Sequence, residues 1–259
     1  MKILTCNAGY LLGYQNIFMG YVPPPVASVV GDSKIEQQKL EELAALIRRE
    51  QPDVVSLLEV DQGSHRTCTS GQCRTLLDVL ESQGLSYRSE VANKYGNGGL
   101  VDSLPFFGHL GNAVLTQAVE GTETHYLSAG QKRLVLEVEL DPTTVLFVVH
   151  LSLGARSRRK QLTQLTSLLA ERADGRDVIV TGDFNTFDQA NELDTFSDRA
   201  GLELRIPGET IPPRPLDSLL LESRSLDLFF CSPSIDIERC TVLDDQISDH
   251  RPIVLETAT

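Results

Sequence analysis

The sequence predicts a protein of the mixed α/β class, in which sheets pack against helices. Segments with the character of strands outnumber those with helical periodicity along the 259 residues. Some strands follow each other closely, as in a hairpin, while others flank a helix, as in a crossover. This mixture suits a mixed α/β sandwich better than a purely parallel sheet. With 41% hydrophobic residues the chain is long enough for one large core, so we expect a single domain over residues 1–259.

The first three predicted elements are a strand, a helix and a strand. Residues 2–6 are a short apolar strand. Residues 34–51 place apolar side chains on one stripe of an amphipathic helix, which Pro52 ends. Residues 53–60 form a second apolar strand that carries Glu59 near its end. Such a crossover predicts that the two strands lie side by side.

Apolar runs and turn residues predict the later elements in turn. Residues 132–140 and 144–151 flank Asp141 and Pro142 and are expected to pair as a hairpin. The other strands are predicted at 85–90, 112–118, 177–182, 226–231 and 252–256, and the other helices at 74–83, 155–172 and 190–200.

Two long segments carry turn residues instead of a periodic pattern. Residues 8–31 contain no charged residue and include three consecutive prolines, so we expect a loop or lid. Its large apolar side chains would either form an exposed patch or fold under the loop as part of the core. These side chains are Tyr10, Tyr14, Phe18, Met19 and Tyr21. The glycine-rich residues 93–112 are expected to form a second loop, mobile or facing the substrate.

The formal net charge of -13 restricts the partners of the protein. A surface built for long nucleic acid needs clustered Lys and Arg, and this charge balance argues against such a surface. A small positive or metal-bearing cleft is compatible with the same charge.

The cysteines and the first residues indicate a cytoplasmic protein. Five cysteines are few for this length and odd in number, so no disulfide framework is predicted, although Cys68 and Cys73 could pair locally. The apolar run in MKILTCN is too short for a signal peptide, and no apolar stretch of membrane-crossing length occurs. We expect reduced thiols and no stable membrane span, and the sequence leaves the oligomeric state open.

Polar side chains collect where the predicted strands end. Strand ends on one side of a layered α/β protein converge, and the loops there carry sites. Each residue alone has a simpler explanation: Asn7 can satisfy a turn, His150 can be a hydrogen-bonded core histidine, and Asp227 can cap a helix. Nine such residues in the same context favour a functional site. They are Asn7, Glu59, Asn112, His150, Asp183, Asn185, Asp227, Asp249 and His250.

The chemistry of these residues suits hydrolysis. In VIVTGDFNTF, residues 178–187, alternate side chains of an extended segment share a face, so Asp183 and Asn185 point the same way while Phe184 points into the core. Carboxylate and amide oxygens without a cysteine ligand suit a hard cation such as Mg²⁺. Two histidines, one of them oriented by a carboxylate, can transfer protons near neutral pH. Together these groups suit the attack of water on a phosphate ester.

Seven motifs carry a resemblance to a known family. They are LTCN, LLEV, GNAVLT, VVHLSLGARSRRKQ, VTGDFNTF, SLDLFF and ISDHRPIV, and GDFN followed by SDHRP about 65 residues later is the specific part of the signal. In this order they resemble the endonuclease/exonuclease/phosphatase superfamily, which includes deoxyribonuclease I, the exonuclease III type repair nucleases, neutral sphingomyelinases and inositol polyphosphate 5-phosphatases. The resemblance covers nearly the whole chain. It implies a four-layer αββα sandwich of two packed mixed β-sheets flanked by helices.

The resemblance also implies a metal site. Glu59 matches the principal Mg²⁺ ligand of the superfamily, with Asn7 and Asp249 close to the metal, and Mn²⁺ is an alternative ion. The glutamine that usually precedes this glutamate is Leu58 here, which removes a hydrogen bond to the metal ligand and leaves the metal affinity open.

Catalytic roles follow from the same resemblance. Asp183 would position or deprotonate the attacking water, and Asn185 would hold a phosphate oxygen. His250 resembles the histidine that acts as a general base or contacts the transition state, and Asp227 resembles the aspartate that orients it.

His150 resembles the second histidine of the deoxyribonuclease I and sphingomyelinase branches, where it contacts phosphate or assists the leaving group. The repair nucleases usually carry an aromatic residue there, so His150 moves this chain away from abasic-site repair. Asn112 is expected to support phosphate binding, and Arg158 and Gln161 to begin the helix that braces His150. The sequence assigns no partner carboxylate to His150.

The leading hypothesis is a Mg²⁺-dependent hydrolase of phosphate ester bonds that acts on a small or lipid-like phosphodiester. The acidic surface, His150 and the uncharged loop at 8–31 favour such a substrate over DNA. A DNA or RNA nuclease of the same superfamily is the alternative, because the metal itself supplies positive charge. A non-catalytic binding module is the third hypothesis, and the full set of metal and acid–base residues speaks against it.

Overall fold

The computed structural model describes residues 1–13, 33–64, 71–95, 109–117, 121–186, 189–211 and 224–258. Within these residues the chain forms four α-helices, one short 3-10 helix and twelve strands. The helices are α1 (Ser33–Glu50), α2 (Gln72–Ser82), α3 (Ala155–Arg172) and α4 (Gln189–Ala200), and the 3-10 helix is Gly9–Leu11. The strands are β1 (Lys2–Asn7), β2 (Val54–Asp61), β3 (Arg88–Asn93), β4 (Leu110–Thr116), β5 (Gly121–Tyr126), β6 (Leu134–Asp141), β7 (Thr144–His150), β8 (Asp177–Asp183), β9 (Glu203–Arg205), β10 (Asp227–Cys231), β11 (Ile237–Val242) and β12 (Ile253–Thr257).

The strands form two six-stranded sheets. The first sheet has the order β11-β12-β1-β2-β4-β3, and the second sheet has the order β5-β6-β7-β8-β10-β9. Each sheet contains one parallel pair, β1 with β2 and β7 with β8, and these pairs are connected through α1 and α3. The other pairs of these strands are antiparallel. The predicted crossover of β1 and β2 and the predicted hairpin of β6 and β7 are confirmed.

Apolar side chains lie on both sides of each sheet. On the inner side, Ile3, Leu58, Leu146 and Ile179 belong to a core between the two sheets. On the outer side, the first sheet packs against α1 and α2, and the second sheet packs against α3 and α4. The layers are therefore helix, sheet, sheet and helix, and the predicted four-layer αββα sandwich is confirmed.

Three strands, β5, β9 and β11, are not predicted from the sequence. Each lies at the edge of a sheet, and their sequences, GTETHY, ELR and IERCTV, are polar and only partly buried. The fourth edge strand, β3, is predicted at 85–90 but lies at Arg88–Asn93, and its neighbour β4 starts at Leu110 rather than at 112. Apolar runs thus locate the central strands, but they do not locate the edge strands correctly.

The two long loops are described only in part. From 8–31, residues 8–13 continue out of β1 into the 3-10 helix, and Tyr10 and Leu12 are buried there. Tyr10 therefore belongs to the core and not to an exposed patch. The other large apolar side chains of this loop, and residues 96–108 of the second one, lie outside the described residues.

The described cysteines are free thiols, namely Cys6, Cys73, Cys231 and Cys240. Cys73 is therefore not paired, and Cys68 lies outside the described residues. Among the helices that the structure describes, none combines the length and the apolar character needed to cross a membrane.

Gly182, the residue before Asp183 in β8, gives a test of this packing. Its φ of 138° is one that L side chains rarely adopt, and a Cβ there would lie 1.9 Å from the backbone oxygen of Val149. We expect Gly182→Ala to lower the free energy of unfolding by about 3 kcal/mol or more, through overlap and backbone strain. Urea unfolding measures the change.

The matched control is Gly175→Ala. Gly175 also has a positive φ, 79°, but no atom lies within 4 Å of the place where its Cβ would stand. This variant should lose only about 1 kcal/mol. Equal losses in the two variants would show that the close approach of β7 and β8 is not the cause.

Candidate active site

Strand register brings four of the predicted site residues to one edge of the sandwich. β7 and β8 run parallel, and their last residues, His150 and Asp183, are register partners. β10 runs antiparallel to β8 and begins with Asp227 opposite Asp183. β1 of the first sheet ends with Asn7, whose amide reaches Asp183. Residues far apart in sequence therefore meet because their strands end together.

Asp183 connects the two sheets. Its Oδ2 accepts a hydrogen bond from Nδ2 of Asn7 at 3.4 Å and lies 3.2 Å from Nε2 of His150. Its Oδ1 accepts the backbone N–H of Asn185 at 2.9 Å. Burial alone would raise the pKa of Asp183, but His150 and the neighbouring positive charges hold it well below its ordinary value. Asp183 is therefore ionised at neutral pH.

Aromatic packing fixes the residues that follow Asp183. Phe184 is fully buried and packs against Phe230 with ring centroids 5.0 Å apart, so it points into the core as the alternation predicts. Asn185 follows with a left-handed φ of 51°, and its Nδ2 donates to the carbonyl of Leu151 at 2.9 Å. Asn185 is thereby held beside Asp183 in a buried position.

Glu59 lies in a β-bulge near the end of β2. The register of β2 and β4 shifts between Leu57 and Val60, so that Leu58 and Glu59 face the single residue Asn112. Glu59 has a φ of 53°, and its N–H donates to Oδ1 of Asn112 at 3.2 Å. Leu58, which stands where the superfamily usually has glutamine, is buried between the sheets. The bulge thus directs Glu59 to the site and leaves Leu58 in the core.

Two lysines that the sequence analysis does not single out flank Glu59. Lys94 and Lys132 place their Nζ atoms 3.7 and 3.5 Å from Oε1 of Glu59. Nε2 of His150 lies 3.9 Å from the same oxygen and contacts Nζ of Lys132. Burial alone would raise the pKa of Glu59, but the charges of Lys94 and Lys132 lower it to about 2. Glu59 is therefore ionised.

The sequence offers only a weak signal for these lysines. Lys94 directly follows β3 in a segment without a periodic pattern. Lys132 is the first residue of the strand predicted at 132–140, which the structure starts at Leu134. A single lysine next to an apolar run is most often solvated, so proximity to Glu59 appears only once the sheets are packed.

The two histidines of the site differ in protonation. Burial and the positive charge of Lys132 lower the pKa of His150 to about 4, so its ring is neutral at pH 7. Burial would also lower the pKa of His250, but Asp227 raises it to about 10. Oδ2 of Asp227 lies 2.6 Å from Nδ1 of His250. One histidine can therefore accept a proton while the other can donate one.

The turn before β12 carries Asp249 and His250. Oγ of Ser248 donates to the backbone carbonyl of Asn7, which fixes this turn against the end of β1. Asp249 is half-buried, and the described residues give it no hydrogen bond or ion pair. Its part in metal binding stays a prediction.

Helix α3 holds two parts of the site in place through Gln161. Oε1 of Gln161 accepts the N–H of Ser152, two residues after His150, at 2.9 Å. Nε2 of Gln161 donates to the backbone carbonyl of Lys132. One buried side chain therefore fixes the segment after His150 and the loop that carries Lys132.

Arg158 anchors the start of the same helix. It is buried, and one of its Nη atoms donates to the carbonyl of Leu153 at 2.7 Å. Its Nε donates to Glu192 of α4 at 2.7 Å. Arg158 thus ties the segment after His150 to both outer helices of the second sheet.

The oxygen donors of this edge fit a hard divalent cation. Glu59 is ionised, and Asn7 and Asp249 supply an amide oxygen and a second carboxylate on the adjacent strand end and turn. The set contains carboxylate and amide oxygens and no thiol, as Mg²⁺ and Mn²⁺ prefer.

A different acidic group lies on the side of the second sheet that faces α3. Glu123, His125 and Glu137 have ligand atoms within 4.8 Å of one another. Glu137 is buried, but it already pairs with Arg172 at 2.8 Å and with His125 at 2.7 Å. We therefore assign this group to an ion-pair network that joins β5 and β6 to α3.

An ionised aspartate near one neutral and one protonated histidine is an arrangement that can transfer protons, and the lysines around Glu59 are cations that can bind an anion. A sequence model of the Endonuclease/Exonuclease/phosphatase family matches residues 15–250. The chain belongs to this family, whose members are phosphoric ester hydrolases and generally depend on a divalent metal. No curated protein matches the sequence.

Solved structures with the same fold share little sequence with this chain. A family protein from Leptotrichia buccalis C-1013-b is 18% identical, with a TM-score of 0.71 and coverage of 100% of both chains. The mannosyl-6-phosphatase Bt3783 of Bacteroides thetaiotaomicron VPI-5482 is 16% identical, with a TM-score of 0.67 and the same coverage. D. rerio TDP2, complexed with single strand DNA product, is 16% identical, with a TM-score of 0.64 and coverage of 100% of this chain and 99% of that one. These likenesses establish the fold.

Removing the charge of Asp227 should lower the pKa of His250. In Asp227→Asn the ring loses its counter-charge while its burial remains, so we expect it to titrate at or below its ordinary pKa of 6.5 rather than near 10. NMR titration of the ring C–H signals in the presence of a chelator measures both proteins. Asp78→Asn, on the exposed face of α2, is the control and should leave the titration unchanged.

The raised pKa of His250 should also make the stability of the protein depend on pH. Because folding raises the pKa of His250, the stabilisation is complete below pH 6.5 and is lost as the pH rises through 10. Across this range the wild-type protein should lose more stability than Asp227→Asn. A wild-type His250 that titrates near 6.5 would contradict the ion pair.

Proposed function

We propose that the protein is a Mg²⁺-dependent hydrolase that acts on a phosphate ester of a small molecule. The observation that carries this proposal is that Nε2 of His150 lies 3.9 Å from Oε1 of Glu59, in the first sheet, and 3.2 Å from Oδ2 of Asp183, in the second sheet. The paired Asp227 and His250 complete an acid–base set around them. The match of the family model over residues 15–250 supports one catalytic domain.

Glu59 would hold the cation together with Asn7 and Asp249. When bound, Mg²⁺, or Mn²⁺ in its place, would polarise a phosphoryl oxygen and offset the negative charge that develops there. Because Leu58 stands where the superfamily usually has glutamine, no glutamine side chain supports Glu59 from this position, and its backbone N–H bonds to Asn112. The carboxylate itself is contacted by Lys94 and Lys132.

Asp183 would orient the attacking water, and two amides would bind the phosphate. Asp183 is ionised and fixed by three neighbours, so its carboxylate can accept a hydrogen bond from water in a defined direction. Nδ2 of Asn112 is buried without a hydrogen-bond partner among the described residues, which supports its use as a donor to phosphate. Nδ2 of Asn185 bonds to Leu151 and retains a second hydrogen for a phosphate oxygen.

The two histidines would have different roles in the reaction. His250, oriented and kept protonated by Asp227, would donate to the charged transition state rather than serve as the base. His150, neutral and in contact with Lys132, would contact the phosphate or assist the leaving group.

A small phosphate ester is favoured as the substrate class. The side chains that motivate a lipid-like substrate lie outside the described residues, apart from Tyr10, which is buried. The Bacteroides neighbour is a mannosyl-6-phosphatase, which supports a substrate of the size of a sugar phosphate. The zebrafish neighbour bound to DNA product supports the nuclease alternative, which the charge of -13 opposes. Free thiols at the described cysteines support the cytoplasmic location.

Loss of the Glu59 carboxylate should abolish hydrolysis. We expect Glu59→Gln, or removal of Mg²⁺ by a chelator, to lower kcat/KM by about 100-fold or more, because the ionised ligand for the cation is gone. Purified protein would be assayed with Mg²⁺ or Mn²⁺ on p-nitrophenyl phosphate, bis-p-nitrophenyl phosphate and plasmid DNA.

Glu81→Gln, on the exposed face of α2, is the charge-matched control and should keep full activity. Turnover that survives chelator would refute the metal-dependent proposal. Fast nicking of plasmid with no turnover of the small esters would favour the nuclease.

A further inference from the structure

Lys132 lies against the carboxylate that would hold the metal ion. Its Nζ is 3.5 Å from Oε1 of Glu59, and the same Nζ contacts Nε2 of His150. The side chains of Lys132 and Glu59 are only 19% and 18% exposed, so water screens this pair less than it would screen a pair on the surface. A positively charged group therefore lies next to a proposed metal ligand, although metal sites are built from negative and neutral donors.

Other elements hold the backbone of the loop that carries Lys132. Nε2 of Gln161, from α3, donates to the carbonyl of Lys132 and to the carbonyl of Ala129, the latter at 3.0 Å. The N–H of Leu127 donates to the carbonyl of Arg133 at 2.8 Å and closes the loop at its base. The ammonium group can thus leave Glu59 by rotation of the side chain, while the backbone stays in place.

A divalent cation on Glu59 would be close to this ammonium group. Mg²⁺ binds carboxylate oxygens at roughly 2.1 Å, so an ion on Oε1 would lie within about 6 Å of Nζ of Lys132. Even with the dielectric constant of bulk water, repulsion between a double and a single positive charge at about this distance corresponds to roughly a tenfold change in affinity. Weaker screening in a partly buried site makes the effect larger.

Metal binding is also weakened if the ammonium group moves away when the ion binds. Lys132 then gives up its ion pair with Glu59 and its contact with His150. The free energy of both contacts is subtracted from that of metal binding. Whether the side chain stays or rotates, the lysine and the ion therefore compete for one carboxylate.

We propose that Lys132 competes with the divalent cation for Glu59 and so sets the metal concentration at which the active site becomes occupied. This inference rests on the proposed function and specifies how its metal site is regulated. The ion is held more weakly than the oxygen donors alone would hold it. The enzyme therefore responds to the concentration of free Mg²⁺ instead of retaining one ion permanently.

The affinity for metal ions, measured by calorimetric titration with Mn²⁺ and with Mg²⁺ at low ionic strength, is the first test. Lys132→Met should bind each ion about tenfold or more tightly than the wild type does. The titration is done at pH 8, where Glu59 stays ionised in each variant because Lys94 remains 3.7 Å from its Oε1.

Two variants control for charge and for structure. Lys132→Arg keeps the positive charge and should bind the ions within a few-fold of wild type. Lys160→Met, exposed on α3, removes the same charge elsewhere and should leave the affinity unchanged. Thermal melting shows whether each variant folds, and Lys132→Gln replaces Lys132→Met in the titration should the latter fail to fold.

The dependence of hydrolysis on Mg²⁺ is the second test. The Mg²⁺ concentration that gives half-maximal turnover of p-nitrophenyl phosphate, relative to each variant's own maximum, should fall about tenfold or more in Lys132→Met. This concentration should stay near the wild-type value in Lys132→Arg.

The outcomes separate this inference from the proposed function. Equal or weaker ion binding by Lys132→Met, or an equal gain in Lys160→Met, would overturn the inference and leave metal-dependent hydrolysis standing. Tighter binding by Lys132→Met without hydrolysis of any phosphate ester by the wild type would support the inference and overturn the proposed function. Failure of both proteins to bind either ion would overturn both.

Discussion

Asp183 keeps a negative charge at a buried position between two sheets, and this requires donors from several elements at once. The amide of Asn7 reaches it from the first sheet, His150 lies beside it in the second sheet, and the N–H of Asn185 comes from its own turn. An ionised group at such a site is stable only if these partners hold their places. The chemistry of the site therefore depends on how the two sheets are aligned. The three apolar cores that pack the four layers together determine this alignment.

Three of the six described non-glycine residues with a positive φ lie at or beside the site. Tyr10, Glu59 and Asn185 each adopt a positive φ directly after or near the end of a strand, and each lies beside a group of the proposed site. Non-glycine residues in this conformation cost about 1–2 kcal/mol each. The bulge at Glu59 interrupts the regular hydrogen bonding between β2 and β4 and directs the carboxylate toward Lys94 and Lys132. The apolar cores on both faces of the first sheet offset the free energy that this irregularity costs.

The sequence predicts the central strands because apolar runs mark them, and the ends of the same runs mark where the motif residues lie. Asn7, His150 and Asp183 follow such runs directly, and the structure brings them together. Edge strands such as β5 lack an apolar run, since many of their side chains are only partly buried. Lys94 and Lys132 could not be found in this way, because their approach to Glu59 depends on long-range packing between the sheets and on Gln161 of a distant helix. The protonation of the two histidines is likewise a property of burial and neighbours, which no motif encodes.

The hydrogen bond from the N–H of Arg133 to the carbonyl of Lys94 joins the two sheets at the active edge. Lys94 directly follows β3 of the first sheet and Lys132 lies two residues before β6 of the second sheet, so the distance between their ammonium groups depends on how the two sheets are aligned. A slide of one sheet over the other would alter this spacing while every strand kept its ladder. The fold therefore tolerates more shear between the sheets than the geometry of this edge does.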